Sequence, residues 1–432
     1  MKSFLKKIIV TLLTLEARAV VRKYNPRIVA VTGSVGKTSA KDAIYCVLAH
    51  SAYVRKSQKS FNSEVGLPLT ILGRPNAWSN PLLWIENLFD GLSLLILPAR
   101  YPEWLVLEVG ADRPGDIRSV SKWLPVDVAV ITRLPEIPVH VEFFNTVEDI
   151  VEEKASLISA LKNEGSLVLY EDDERVRSLT SRASTANIVT FGTSADADVS
   201  VSDLKILYEE GKHKHALGMH ARLRIGTQVA PIEVLGTLGT HSLLPLLAGA
   251  AVGKALGKDL PEILEALKAY TPPQGRMRII EGIKETTLID DTYNSSPAAV
   301  AAALEALKLT GGRRKIAVMG DMLELGRHSA PEHKKAGVHA AKVADILITI
   351  GFRARDMAQG ALDEGMKDTN VFQFEDARRA GAELQNMLKE GDVVLIKGSQ
   401  SIRMERTVEE LMAHPEQAKD LLVRQDEEWR KR

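Results

Sequence analysis

The residues best suited to chemistry form a short glycine-bearing loop near the start of the chain. The loop consists of Gly33, Ser34, Val35, Gly36, Lys37 and Thr38. It follows an apolar run over 28–32 and precedes a stretch of helical character over 39–48. In that context backbone amides and the helix dipole bind phosphate oxygens, the lysine reaches the terminal phosphates and the threonine hydroxyl can ligate magnesium. The usual spacing places a glycine where Val31 stands, so we predict a shortened phosphate loop of ATP-binding type.

Three further residues could bind a metal ion, although each also has an ordinary structural interpretation. Glu108 ends an apolar run and could either ligate magnesium beside the loop or be an exposed strand end. His140 is a lone histidine, and such residues are usually packed or at the surface. The Thr146-x-x-Asp149 pattern predicts a capping box that begins a helix reaching about Leu161. Lys154 then lies about two turns into a charge-mixed helix, where a solvated side chain is the simplest interpretation.

Two sets of short β-branched runs alternate with helical stretches, which is typical of parallel α/β sheets. The first set covers 28–32, 104–109, 126–132 and 167–170. The second set covers 287–290, 316–319, 346–350 and 393–396. Between them, 199–235 alternates and contains turn residues, which predicts an antiparallel patch on the first sheet. The predicted fold class is therefore α/β, with a central P-loop ATPase-type parallel sheet domain carrying an antiparallel patch, followed by a Rossmann-like C-terminal domain.

Paired prolines mark the domain boundary. Pro272 and Pro273 follow a helical stretch, and they stop that helix and stiffen the connection. We predict an N-terminal amphipathic helix over 1–26, a central ATP-binding domain over 27–271 and a C-terminal domain over 272–432.

The N-terminal segment has three possible interpretations. Its polar stripe contains Lys7, Thr11, Thr14, Arg18 and Arg22, and its apolar face contains Leu5, Ile8, Ile9, Leu12 and Ala19. The apolar run beside two lysines resembles a signal peptide, but the amphipathic pattern and the nearby phosphate loop argue against secretion. We expect a helix packed on its own domain, and a basic helix over 1–24 that contacts a membrane surface or a wall enzyme is the alternative.

Composition narrows the function classes. The 432 residues contain 56 basic and 56 acidic side chains, so no global field favours a nucleic acid. Cys46 is the only cysteine, which excludes an intramolecular disulfide and a thiolate zinc site. We expect a cytoplasmic monomer that acts on small molecules.

Several motifs together resemble the Mur ligase family of ATP-dependent peptide ligases. Besides the loop at 32–38, the blocks lie at 62–70, 107–112, 290–297, 319–326, 397–399 and 404–405. Within the family they resemble the ligases that add D-alanyl-D-alanine to a UDP-muramoyl peptide in peptidoglycan precursor synthesis, through an acyl phosphate. The resemblance covers about residues 28–411, and Gly-Asp-Met-Leu-Glu-Leu-Gly is its most specific block.

The resemblance implies two magnesium ions beside ATP. It implies metal ligation by Thr38, Glu108, His140 and Lys154, with Lys154 carbamylated by carbon dioxide. It assigns catalysis to Lys37, Lys154, Arg276 and His140. An arginine suits contact with transferring phosphates because its charge is fixed and its donors fork.

The resemblance also implies contacts with nucleotide and substrates. The nucleotide would contact the loop, His241, Arg276 and Asp291, the last through its ribose. The muramoyl peptide and the dipeptide would contact Asn62, Glu64, Asp321, Lys397, Ser399 and Glu405.

The sequence departs from the family pattern in ways that leave substrate identity open. Only about 30 residues precede Gly33, so we expect the usual N-terminal uridine-binding domain to be absent. Arg133 stands where the family commonly has asparagine. One alternative is a superfamily ligase with another acceptor or amine, such as a folate, a polyamino acid or a lipid-linked muropeptide. Another is a non-catalytic ATP-binding scaffold.

Overall fold

The computed structural model describes residues 3–58, 64–78, 80–138, 140–183, 185, 187–210 and 215–430. Its described residues form a nine-stranded and a six-stranded sheet, with helices packed against them. Within the same residues, no helix is both long enough and apolar enough to cross a bilayer.

The first sheet carries the phosphate loop at the end of a central strand. Its strands are β1 (Arg27–Thr32), β2 (Val54–Lys56), β3 (Trp104–Glu108), β4 (Val126–Ile131), β5 (Leu161–Tyr170), β6 (Ile188–Gly192), β7 (Val199–Tyr208), β8 (Ala216–Ile225) and β9 (Gln228–Leu235). Their order is β2-β3-β1-β4-β5-β6-β7-β8-β9. Pairing is parallel from β2 through β7 and antiparallel from β7 through β9. The predicted parallel sheet with an antiparallel patch is confirmed.

The α-helices of this part of the chain are α1 (Ser3–Tyr24), α2 (Lys37–Ala49), α3 (Gly66–Leu72), α4 (Pro81–Ile96), α5 (Asp116–Ser121), α6 (Val147–Ala155), α7 (Glu174–Arg177), α8 (Leu244–Ala255) and α9 (Leu260–Leu267). β1 and β3 are buried almost throughout, as expected of parallel strands covered on both faces. Because parallel strands end at the same edge, the loop after β1 and the last residue of β3 meet there.

The second sheet contains β10 (Arg278–Gly282), β11 (Thr286–Asp291), β12 (Lys315–Gly320), β13 (Ile346–Ile350), β14 (Val371–Phe374) and β15 (Val393–Lys397). Its order is β10-β11-β15-β12-β13-β14, and only the β10–β11 pair is antiparallel. Its helices are α10 (Pro297–Leu309), α11 (Ser329–Ala341), α12 (Arg355–Asp363), α13 (Ala377–Met387), α14 (Glu405–Leu411), α15 (Ala418–Leu421) and α16 (Glu427–Arg430).

The two halves of the chain contact each other through hydrogen bonds, one of which lies in the connection that was predicted to separate two domains. The Leu238 amide donates to the Met277 carbonyl at 3.2 Å, and the Gly311 amide donates to the Tyr208 hydroxyl at 2.8 Å. The predicted boundary between residues 271 and 272 falls between α9 and β10, and it stays a prediction.

The predicted helix from Thr146 to about Leu161 is wrong in its second half. α6 ends at Ala155, a 3-10 turn covers Ser156–Ala160, and β5 begins at Leu161. The Ser156 hydroxyl donates to the Glu153 carbonyl at 2.5 Å, a local bond of the kind that competes with the helical ladder. The capping box itself is present.

The predicted N-terminal helix is α1, but the apolar face expected to pack is partly wrong. The buried stripe contains Ile9, Leu13, Ala17, Val20 and Val21. Ile8 and Leu12 are 40% and 42% exposed. The helix presents apolar side chains to both the core and the solvent.

Candidate active site

The phosphate loop joins β1 to α2 through two glycines that the backbone requires. Gly33 has a φ of +138°, and a Cβ on it would lie 2.0 Å from Thr132 Oγ1. Gly36, with a φ of +86°, lies directly before α2. The Ser34 amide donates to the Arg133 carbonyl at 2.9 Å, which attaches the loop to the residues after β4.

The first turn of α2 places Lys37 and Thr38 in a cleft of about 470 Å³ between the two sheets. Lys37 Nζ donates to the Gly33 carbonyl at 2.9 Å, and burial lowers the pKa of Lys37 while Glu108 opposes that shift. Thr38 Oγ1 donates to Glu108 Oε2 at 3.0 Å. A hydroxyl beside a carboxylate fits Mg²⁺, which takes few protein oxygens and keeps phosphate ligands.

Lys154 is buried, which overturns the interpretation of it as a solvated lysine. Burial, with a smaller contribution from the charge of Lys37, lowers the pKa of Lys154 to about 7, and Asp112 and Glu153 oppose the shift. A substantial fraction of this amine is therefore neutral near neutral pH.

The neighbouring Glu153 fixes the helix that carries Lys154. Its carboxylate accepts hydrogen bonds from the backbone amides of Gly115, Ile117 and Arg118 at 2.7–3.0 Å. These amides belong to the start of α5, where a carboxylate satisfies donors that have no partner within the helix. α6 is therefore held against the segment that contains Asp112.

His140 lies between acidic groups from both halves of the chain. Its Nε2 is 3.7 Å from Asp112 Oδ1, and its Nδ1 is 2.7 Å from Glu324 Oε2. The contact with His140 holds the pKa of Glu324 below its usual value. His140, Asp112, Glu324, Thr38 and Glu108 all line the cleft. The described part of the chain contains no group of three or more His, Cys, Asp or Glu side chains arranged to hold a metal ion.

A smaller, mostly apolar cavity of about 100 Å³ adjoins the phosphate loop. Its lining includes Val35, Tyr170, Phe191, His241 and Asp291. Burial lowers the pKa of His241 to about 4, so the imidazole is neutral near neutral pH. Aromatic rings and a neutral imidazole suit a planar heterocycle, and Asp291 provides an acceptor at the cavity wall.

Arg276 lies where the cavity and the cleft meet. Its guanidinium stacks over the Tyr293 ring, with the central carbon 4.1 Å from the ring centroid. The positive charge of Arg276 also contributes to the lowered pKa of Lys37, so the two cations act on the same space. Lys37 and Arg276 therefore border the same cleft from opposite sides of the connection, and their catalytic roles stay predictions.

The residues predicted to bind the two substrates are not gathered in the cleft. Asn62 lies outside the described residues, and Glu64 is exposed just before α3. Asp321 accepts the Ala354 amide, and Ser399 accepts the Leu323 amide.

Two further predicted substrate residues are buried in ion pairs. Lys397 Nζ lies 2.6 Å from Asp291 Oδ2, in the wall of the apolar cavity rather than in the cleft. Glu405 is buried between Arg403 and Arg424, at 2.5 and 2.8 Å. Their substrate roles stay predictions, and their placement indicates that they support the site's framework.

Some cleft residues were not assigned a role from the sequence. Asp112, Tyr293 and Glu324 belong to recognised blocks, so the signal for them was present but gave no individual function. Gln400 and Trp429 also line the cleft, and nothing in the sequence pattern pointed to Trp429.

Comparison with known proteins identifies the family. Residues 91–253 match the Mur ligase middle domain, and residues 275–400 match the Mur ligase, glutamate ligase domain. The UDP-N-acetylmuramoyl-tripeptide–D-alanyl-D-alanine ligase of Bacillus subtilis is 30% identical over 401 residues, which cover 92% of this chain and 79% of that protein. The chain belongs to the Mur ligase family. The ligase of the same name from Mycobacterium leprae is 30% identical over 400 residues, with 87% of this chain and 71% of that protein covered.

A solved Mur ligase structure has the same fold. MurF ligase from Thermotoga maritima, in complex with ADP, superimposes with a TM-score of 0.75 at 29% identity, covering 95% of this chain and 84% of that one. The chain is accordingly an ATP-dependent, ADP-forming ligase of peptidoglycan precursor synthesis.

Proposed function

We propose that the chain joins D-alanyl-D-alanine to the terminal carboxylate of a UDP-muramoyl tripeptide. The observation that carries the proposal is the convergence of Lys37, the Thr38–Glu108 pair and Arg276 on one cleft, in a chain whose relatives carry that activity in their names. The mostly apolar cavity beside the loop would take the adenine, and Asp291 would accept from the ribose.

The reaction needs two anions, the triphosphate and the acceptor carboxylate, to approach each other. A carboxylate oxygen attacks the γ-phosphorus and ADP leaves, which gives an acyl phosphate. The dipeptide amine then attacks the acyl carbon, loses a proton and displaces phosphate. Lys37 and Arg276 would offset the charge on the transferring phosphoryl oxygens from two sides, because both are cations held in place before substrate arrives.

Magnesium would be held by Thr38 and Glu108 at the phosphate loop, with His140 and Lys154 as candidates for a second ion. Bound there, magnesium supplies Lewis-acid neutralisation of phosphate oxygens. Lys154 would contribute as a carbamate, formed when its neutral amine adds to carbon dioxide and releases a proton. The lowered pKa of Lys154 and its burial support this, because a neutral nucleophilic nitrogen is required.

The proposed location is the cytoplasm, because the site would consume ATP and a nucleotide-linked precursor. We propose that the chain works as a monomer, because the phosphate loop, Glu108 and Arg276 already line one cleft without a residue from a second copy.

The deciding experiment measures ADP release and product mass with purified protein, ATP and magnesium. We expect turnover only when a UDP-muramoyl tripeptide and D-alanyl-D-alanine are both present. Single amino acids, folates and lipid-linked muropeptides serve as competing substrates. A preference for one of these would overturn the substrate assignment, and ATP binding with no turnover on any of them would support the scaffold alternative. Lys37→Ala is the matched inactive control.

A further inference from the structure

α1 and α4 pack side by side on the surface of the central part. Lys23 Nζ near the end of α1 donates to the carbonyls of Leu94, Leu95 and Leu97 at 2.8–3.1 Å, which satisfies the end of α4. Further back along α1, Glu16 lies directly against Gly91, where a Cβ would come within 2.1 Å of its carboxylate. The two helices therefore form one layer.

The outer surface of α4 is apolar along its whole length. The exposed side chains are those of Leu82, Ile85, Phe89, Leu92 and Ile96. Their spacings of three and four residues place them on a single helical face, opposite the buried Trp84, Asn87 and Gly91. Phe89 and Ile96 are 67% and 77% exposed.

α1 extends this surface. Ile8, Leu12 and Leu15 are exposed and share one face of α1, on the side where Glu16 meets α4. We call these three residues together with the five from α4 the α1–α4 face. An exposed apolar surface this continuous marks an interaction site.

The charges around the α1–α4 face are predominantly basic. Lys7 and Arg22 on α1 and Arg100 after α4 carry exposed basic side chains. The two acids of α4 both form ion pairs with Arg74, Glu86 at 3.1 Å and Asp90 at 2.6 Å.

This charge pattern is local, because the chain as a whole has a formal net charge of zero. Glu16, the acid of α1, is buried, and its Oε2 has no hydrogen-bond partner within the described residues. The border of the face therefore carries exposed basic side chains, while the exposed Glu86 of α4 is compensated by its pairing with Arg74.

We propose that the α1–α4 face docks on the surface of a bilayer that contains anionic lipids. Apolar side chains would enter the boundary between headgroups and acyl chains while the basic border contacts lipid phosphates, the arrangement by which interfacial helices bind membranes. A second copy of the chain fits less well, because an isologous pair would bring two basic borders together. The proposal goes beyond ligation, which needs no membrane.

Vesicle flotation of the full chain tests the proposal. Vesicles of equal parts phosphatidylcholine and phosphatidylglycerol are compared with vesicles of phosphatidylcholine alone. We expect flotation with the anionic vesicles, and weaker flotation when the salt concentration rises from about 0.1 M to about 1 M, because salt screens the basic border. Failure of the unmodified chain to float with anionic vesicles would overturn the proposal.

Two double variants separate the apolar and the basic contributions. Phe89→Ser with Ile96→Ser should lower the vesicle partition coefficient about tenfold or more, and Lys7→Gln with Arg22→Gln should remove the preference for anionic lipid. Two exposed residues outside the α1–α4 face provide matched controls. Phe352→Ser replaces an aromatic residue that is 77% exposed, and Lys367→Gln replaces an exposed lysine. Both controls should float as the unmodified chain does.

The variants must be folded, so each is also checked by thermal unfolding and by the ligation assay without vesicles. Unchanged ligation with lost flotation supports docking as a separate property of the chain. Unchanged flotation of the Phe89→Ser, Ile96→Ser variant would overturn the proposal. Concentration-dependent dimers that Phe89→Ser abolishes, without flotation, would instead assign the face to a second copy. Because ligation is read without lipid, failure of docking is distinguishable from failure of the proposed function.

Discussion

Arg276 and Lys37 both place a basic side chain at the cleft, but different contacts hold them there. Each is a cation at the edge of the cleft, but Arg276 is oriented by an aromatic ring, whereas Lys37 is tied to its own loop. The sequence predicted both residues. It did not predict the Tyr293 platform, because the stacking depends on how the connection between the sheets folds.

Replacing Arg276 by lysine should lower kcat about 10- to 100-fold while changing the KM for ATP little, because a forked donor matters most for charge that develops in the transition state. Steady-state kinetics with saturating acceptor and dipeptide measure both constants. Tyr293→Leu should give a smaller effect in the same direction, and Tyr293→Phe should retain near-normal rates. Equal losses in ATP affinity and in kcat for Arg276→Lys would contradict this role.

Lys154 offers the sharpest test at this scale, since an ammonium and a carbamate have opposite charges. If the proposed carbamate is present, Lys154→Ala should reduce ligation about 100-fold or more, because it would remove a metal-binding anion. Formate or acetate should restore part of the rate by replacing that anion. Lys154→Arg should stay inactive, because it keeps a positive charge.

The control for Lys154 is another lysine with a lowered pKa. Lys41 is buried and donates to the Ser57 carbonyl at 2.8 Å, and Lys41→Ala should not respond to formate. Near-normal ligation by Lys154→Ala, or full activity of Lys154→Arg, would exclude the carbamate.

At the scale of elements, most of the strands were predictable and four were not. Each predicted run contains a strand because buried parallel strands need continuous β-branched residues, as in β1 and β15. β2, β6, β10 and β14 were not predicted. β2 and β14 have only three and four residues, which give little periodicity, and β6 and β10 lie outside the predicted runs. α1 was recognised as a helix, but apolar residues on two of its sides left the buried stripe undetermined.

Glu16, which is buried where α1 contacts α4, makes the free energy of unfolding depend on pH. Burial raises the pKa of Glu16 to about 7, and among the described residues no charged partner opposes this shift. The folded chain therefore holds this proton more tightly than the unfolded chain does, where the pKa is about 4.3. The stabilisation that comes from holding this proton is fully present below the pKa of the unfolded chain. It is lost as the pH rises through the folded pKa of about 7.

Glu16→Gln removes that titration. The Tm advantage of the variant over the unmodified chain should be larger at about pH 8 than at about pH 5, by about 2–4 °C. Scanning calorimetry at the two pH values measures it. Glu86→Gln, at an exposed acid on α4, should show no such difference. A Tm difference for Glu16→Gln that does not depend on pH would show that the carboxyl is solvated.

For the whole molecule, the family motifs predicted two sheets facing one site, and the structure adds the contacts that hold them together. The pairing of His140 with Glu324 connects the loop after β4 to the loop after β12. Sequence patterns within one sheet could not reveal this contact, because it depends on the angle between the two halves.

Glu324→Ala should favour a more open arrangement of the halves. The pair is partly exposed, so about 1 kcal/mol or less is at stake, which changes the ratio of closed to open molecules by up to about fivefold. Small-angle X-ray scattering should show a larger radius of gyration. Glu375→Ala, which removes an exposed acid paired with Arg355, is the control and should leave the radius unchanged. A compact Glu324→Ala variant would mean that other contacts set the angle.

The connection between the two halves of the chain is hydrogen-bonded to Asp291, the carboxylate proposed to bind the ribose. Asp291 Oδ1 accepts the Met277 amide at 3.3 Å, while its Oδ2 contacts Lys397. Met277 has a φ of +53° and follows Gly275 with a φ of +65°, so this short stretch is held in an uncommon backbone conformation. In the proposed complex, departure of ADP would alter the same carboxylate that restrains the connection. We therefore expect ADP release to free the Met277 backbone and so to be coupled to movement of the C-terminal half relative to the phosphate loop.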